Sequence, residues 1–140
     1  MPEGPDPLES PALRAEADTT QAITTAQLVA ETDAELATAA RALAADRRAH
    51  ASALRAELRR VRPGPAVDGA TPPAAFRAGP SPTEPPPTSP DLAGTRSALI
   101  RAMRAAQDEA AALVLTLPGY RAALLASIAA CCATHAALLT

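Results

Sequence analysis

Apolar positions recur in steps of three and four along most of this chain, the spacing of one face of an α-helix. The clearest stripe is Leu36, Ala40, Leu43, Arg47, His50, Leu54, Leu58 and Val61. A second, through Leu92, Leu99, Met103, Ala106, Ala110, Leu113 and Leu117, keeps a seven-residue rhythm. A third joins Leu124, Ile128, Cys131, His135 and Leu138, flanked by Leu125, Cys132 and Leu139. Nearer the N-terminus the face is weakest, with Leu13, Ile23, Leu28 and Val29 standing among many Thr. Four helices are predicted, over about residues 10–30, 33–61, 90–116 and 118–139.

The residues between the stripes support these bounds. Ser10-Pro11 offers an N-cap followed by a first-turn Pro. Thr32-Asp33-Ala34-Glu35 fits a capping box, so the first two helices are joined by a tight turn. Pro63-Gly64-Pro65 stops the second helix, Ser89-Pro90-Asp91 opens the third, and Pro118-Gly119 ends the third and starts the fourth. Residues 1–9, with three Pro, read as a disordered lead-in.

Between the two pairs of helices lies a Pro-rich linker, residues 62–89, which leans toward extended polyproline conformation and carries Phe76 as its one aromatic. Each helical pair has an apolar face it cannot bury alone. The expected fold is therefore all-α: two hairpins docked as a four-helix bundle over residues 10–140. A simple up-and-down bundle needs only a few residues between helices. A linker of this length, at about 3.1 Å per residue, can instead cross a bundle about 40 Å long and let the second and third helices run parallel.

Composition narrows the core and the partners. Ala fills 38 of the 140 positions, and the larger apolar residues are mainly 16 Leu. Ala buries little area, so at about 25 cal/mol per Å² such a core gives modest stability, open to help from a partner chain. All 13 basic residues are Arg and the net charge is −2, with the charges interspersed. The cluster Arg55, Arg59, Arg60 and Arg62 suits a helix C-terminus. With no basic face and no aromatic platform, nucleic acid is not an expected partner. Cys131 and Cys132 are neighbours on a helix and point about 100° apart, so they are poorly placed to bridge each other. Residues 1–20 lack a basic region followed by an apolar one, so no signal peptide is expected and a cytoplasmic location is. Ala122 to Thr140 carries no charged residue and approaches membrane-spanning length. Its Ala content, with Ser127, Thr134 and His135, favours a bundle helix over a span.

Three segments carry a family resemblance: Asp46-Arg47-Arg48-Ala49-His50 leading into Ala53-Leu54-Arg55, the Pro-rich middle, and Gly119-Tyr120-Arg121-Ala122-Ala123-Leu124-Leu125-Ala126-Ser127-Ile128. Over about residues 10–139 the chain resembles the Ala-rich ferritin-like domains of unknown function from actinobacteria. The resemblance implies a ferritin-like bundle with a long crossover and brings no defined activity.

Catalytic ferritin-like proteins hold two metal ions with a Glu from each of two helices and a Glu-x-x-His from each of the others. Here the only two His, His50 and His135, fall on the predicted second and fourth helices. Glu16 and Glu109 are candidates for the isolated carboxylates. Yet Arg47 stands three residues before His50, and Cys132 three before His135, where Glu is required. His135 with Cys131 or Cys132 has the spacing for a single metal. Asp46 is one helical step of four from His50, so those two are expected to touch. The Cys pair lies late in a helix among Ala, which suits small buried fillers better than reactive thiols. The sequence thus favours a non-catalytic interaction or structural module with a degenerate metal site and no cofactor. Its partner would be a second copy or another helical protein, with no small-molecule substrate identified. The alternative is a metal-dependent oxidoreductase or storage protein using Fe, Mn or Zn through His50, His135, Glu16, Glu109 and Cys132.

Overall fold

Local capping and close backbone approach shape the helices of this protein. In the computed structural model, residues 4–61 and 91–140 are described. They form α1 (Glu9–Val29), α2 (Ala34–Val61), α3 (Leu92–Val114) and α4 (Gly119–Leu139), with no strand among the described residues. The architecture is all-α and four-helical, as expected. The linker, Phe76 included, lies outside the described residues.

The caps differ in detail from the sequence expectation. Asp33, not Thr32, accepts from the Leu36 N–H at 2.9 Å and starts α2, while the Thr32 hydroxyl turns back to the Val29 carbonyl. Asp91 caps α3 through the Gly94 N–H at 3.0 Å. Ser10 lies inside α1 and gives its hydroxyl to Glu109 on α3 instead of capping. The residues before α1 are not a loose lead-in at their inner end. Leu8 is 0% exposed, and the Asp6 carboxylate accepts from the Leu8 N–H. Gly119 takes φ +55°, the left-handed region that glycine enters without a Cβ clash, and so swings the chain from α3 into α4.

Ion pairs fix the helix directions. At one end Arg121, early in α4, reaches both Asp6, just before α1, and Glu57, late in α2. At the other end Arg96, early in α3, lies 3.5 Å from Asp33 in the α1–α2 turn and donates to the Leu139 carbonyl at the close of α4. Hence α1 and α4 start at the end where α2 finishes, and α3 starts at the opposite end. α2 and α3 run in the same direction, and Val61 and Leu92 lie at opposite ends of the bundle. α1 packs on α2 and α3, and α4 packs on α3 and α2, with the closest packing inside each hairpin.

The buried faces show what the pattern obscured. On α1 the inward positions are Ala12, Ala15, Asp18, Ala22, Thr25, Ala26 and Val29. Leu13 and Leu28, expected in the core, are 59% and 51% exposed. Ala at the contact lets the α1 and α2 backbones approach closely, and a Leu there would hold them apart. On α4 the core side is Leu125, Ile128, Cys132, His135, Ala136 and Leu139, whereas Leu138 is 74% exposed. α4 is apolar nearly all round, so its sequence scarcely marks an inner face; Arg121 and His135, tied to α2, select it. The expected stripes of α2 and α3 hold at Leu36, Ala40, Leu43, Arg47 and Leu54, and at Leu99, Met103, Ala106 and Ala110. Val61 is the exception, at 47% exposed.

Because Leu8 is fully buried, Leu8→Ala should cost about 2–5 kcal/mol by urea denaturation. Leu13→Ala, on the outer side of the same helix, should change stability by no more than about 0.5 kcal/mol.

Candidate functional site

The inner face of α2 places a cation in the middle of the bundle. Arg47 is 1% exposed, and each of its three guanidinium nitrogens lies against Asp18 or His50. Nε donates to Asp18 Oδ2 on α1 at 3.0 Å, and Nη2 lies 2.9 Å from the same oxygen. Nη1 donates to His50 Nδ1 at 3.0 Å. Since guanidinium can only donate, His50 Nδ1 must be the acceptor, and the neutral ring carries its hydrogen on Nε2. Burial first, and then the Arg47 charge, push the His50 imidazole down to about 4. For Asp18, burial pushes the carboxyl above its ordinary value, and the Arg47 charge recovers part of that rise.

A second group sits beside this one, where α2 meets α4. His135 Nε2 donates to Asp46 Oδ2 at 2.6 Å, and the Cys131 thiol donates to the same oxygen at 3.5 Å. The Asp46 carboxyl is held below its usual range, chiefly by the bond from His135 and further by Cys131, against a smaller opposing effect of burial. Burial, with the Asp46 charge next to it, pushes the Cys131 thiol up to about 11. Cys132 is 0% exposed, and burial raises its thiol as well. With both groups raised, both cysteines are thiols near neutral pH, not nucleophilic thiolates.

The candidate ligands divide between three places. His50 and His135 both approach the bundle centre, on α2 and α4, but they bond to Arg47 and Asp46 respectively and not to each other. Asp46, expected against His50, bonds across to His135 on α4 instead. Glu16 lies on the surface, where both carboxylate oxygens bind Arg55 at 2.7 and 3.0 Å, and that pairing lowers its carboxyl. Glu109 accepts from Ser10 and Arg14. Cys132 faces the core, and Cys131 is the cysteine that joins His135. The position that α3 offers the centre is filled by Met103 and Ala106. Among the described residues, every buried side-chain nitrogen and oxygen has a hydrogen-bond partner.

Sequence reasoning missed Asp18. The signal was present: a carboxylate on the α1 face that otherwise reads Ala15, Ala22, Thr25, opposite an Arg on the inner stripe of α2. Two opposite charges on facing inner stripes point to a buried pair.

Searches of protein-family models, of curated proteins and of solved structures each find no match to this chain.

The neutral His50 has a consequence for acid stability. Unfolded, the ring takes its proton near 6.5; folded, only near 4. Between those values the unfolded chain binds a proton that the folded chain does not, so stability falls as pH drops through that window. Asp46, Glu16 and Glu57 act lower, below their unfolded values of 3.8 and 4.5. Urea midpoints measured from pH 6.5 to 4 should therefore decline in the parent protein and decline less in His50→Asn. Equal slopes would contradict the assignment.

Proposed function

We propose that this chain is a ferritin-like bundle without metal catalysis, serving as an interaction or structural module. The observation that supports this most is Arg47. A ferritin-like dinuclear site needs four carboxylates and two imidazoles around the bundle centre. In this chain the centre holds a guanidinium bonded to Asp18 and His50, while Glu16 and Glu109 are engaged with Arg55 and Arg14. A cation on the inner face repels a pair of divalent ions, and the bonds of that cation close the ligand positions such ions would take. The parallel course of α2 and α3 suits a crossover between the hairpins.

The surface that suits an interaction is the outer side of α4. Tyr120, Ala123, Ser127, Ala130, Thr134 and Ala137 follow steps of three and four there, all exposed and all uncharged. α4 is long and apolar enough to cross a membrane, with mean hydropathy 1.9, and only 28% of that stretch is buried. Transfer to lipid would strip Asp6 and Glu57 of Arg121, and Asp46 of His135. A small-residue seam in heptad spacing instead fits a second copy of itself, since backbones can approach closely along it.

Sedimentation of the purified chain should give a dimer mass, and Ala130→Glu, which puts a charge in that seam, should give a monomer of unchanged helicity. Iron-replete protein should contain only trace Fe and Mn. Stoichiometric Fe or Mn, lost on replacing His50 and His135, would contradict the non-catalytic reading.

A further inference from the structure

We propose that Asp46, Cys131 and His135 form a binding site for one divalent transition-metal cation of borderline softness, Zn²⁺ foremost. This site lies at the α2–α4 contact and goes beyond the reading above. It uses neither Glu16, Glu109 nor His50, and it does not depend on dimerisation.

Three donors of different kinds converge there. Cys131 and His135 are one helical step of four apart and share a face of α4. α2 brings the Asp46 carboxylate onto that face. Oδ2 of Asp46 lies 2.6 Å from His135 Nε2 and 3.5 Å from Cys131 Sγ, and the donor atoms all lie within 4.8 Å of one another. Tetrahedral zinc bonds of about 2.0–2.3 Å place ligand atoms roughly 3.4–3.7 Å apart. The sulfur–carboxylate separation already fits, and the Asp46–His135 pair must open by less than about 1 Å. Asp46 can move that far because its side chain is 49% exposed, and the same exposure gives an ion a way in from solvent.

The donor chemistry also fits. Thiolate, imidazole and carboxylate together suit zinc, and three protein ligands leave a fourth position for water. On loading, the Cys131 thiol gives its proton to solvent as the sulfur–metal bond forms. The His135 ring hydrogen shifts from Nε2 to Nδ1, freeing the Nε2 lone pair. One thiolate, one carboxylate and the dication then sum to zero charge. Arg47 repels the ion from one side, but its pairing with Asp18 offsets part of that charge, and a single neutralised dication is repelled less than a pair.

The test is a Co²⁺ titration of the metal-free full chain, followed by the thiolate-to-cobalt absorption band. The expected result is saturation at one equivalent per chain, with Zn²⁺ displacing the signal. Cys131→Ser should remove the band, and Asp46→Asn should weaken binding at least about tenfold. Cys132→Ser, whose sulfur faces the core, should leave both band and affinity unchanged. Helical circular dichroism confirms that each variant is folded. No binding by the parent chain, equal affinity in Cys131→Ser, or a band lost only in Cys132→Ser would overturn the proposal. Loss of Fe or Mn on replacing His50 belongs to the dinuclear reading, so the two failures are distinguishable.

Discussion

The structure depends on one constraint: a guanidinium that is 1% exposed must be neutralised inside the bundle. The effective penalty for burying an ion is several kcal/mol, and only well-formed bonds offset it. Asp18 supplies the opposite charge, at 2.9 Å, and His50 Nδ1 accepts from Nη1. Those two demands settle the rest of the centre. His50 stays neutral, its Nδ1 is occupied, and Asp46 is left to bond across the bundle to His135. Burial and this cation together keep His50 neutral, and the cation fixes which ring nitrogen of His50 accepts.

The same centre explains why small residues dominate the first hairpin. Arg47 can reach Asp18 because α1 and α2 pack closely, with Ala12, Ala15, Ala22, Ala40 and Ala44 in the contact. The second hairpin joins the first through fewer apolar contacts and several ion pairs. Arg121 ties the start of α4 to Asp6 and Glu57, Arg96 ties the start of α3 to Asp33, and Arg14 ties α1 to Glu109. The Arg96 and Arg14 pairs are partly exposed and contribute modestly to stability, whereas Arg121 and its two carboxylates are largely buried. They set which ends meet, and so the parallel course of α2 and α3.

Much of this fold was legible in the sequence, because helix bounds depend on local signals. The stripes of α2 and α3 and the break at Pro118-Gly119 were read within one or two residues. What escaped depends on tertiary contact. Leu13 and Leu28 look like core residues by hydropathy, yet the close α1–α2 approach excludes them in favour of Ala. α4 is apolar on every side, so hydropathy could not mark its inner face, and the expected stripe lay partly off it at Leu138. Ser10 and Thr32 were plausible caps whose roles went elsewhere once Glu109 and Asp33 were in place. At the site, both histidines lie on the helices expected, His135 on the buried face and His50 partly buried. The Asp46–His135 bond was not legible, because Asp46 is an ordinary surface-type residue until folding brings His135 beside it.

The buried pair is tested most directly by a two-step replacement read by urea denaturation. Asp18→Leu alone leaves Arg47 buried without its counter-charge and should cost about 3–5 kcal/mol. Adding Arg47→Met removes the stranded cation and should recover most of that loss. A single Asp18→Leu costing less than about 1 kcal/mol, or a double variant no more stable than the single one, would contradict the account.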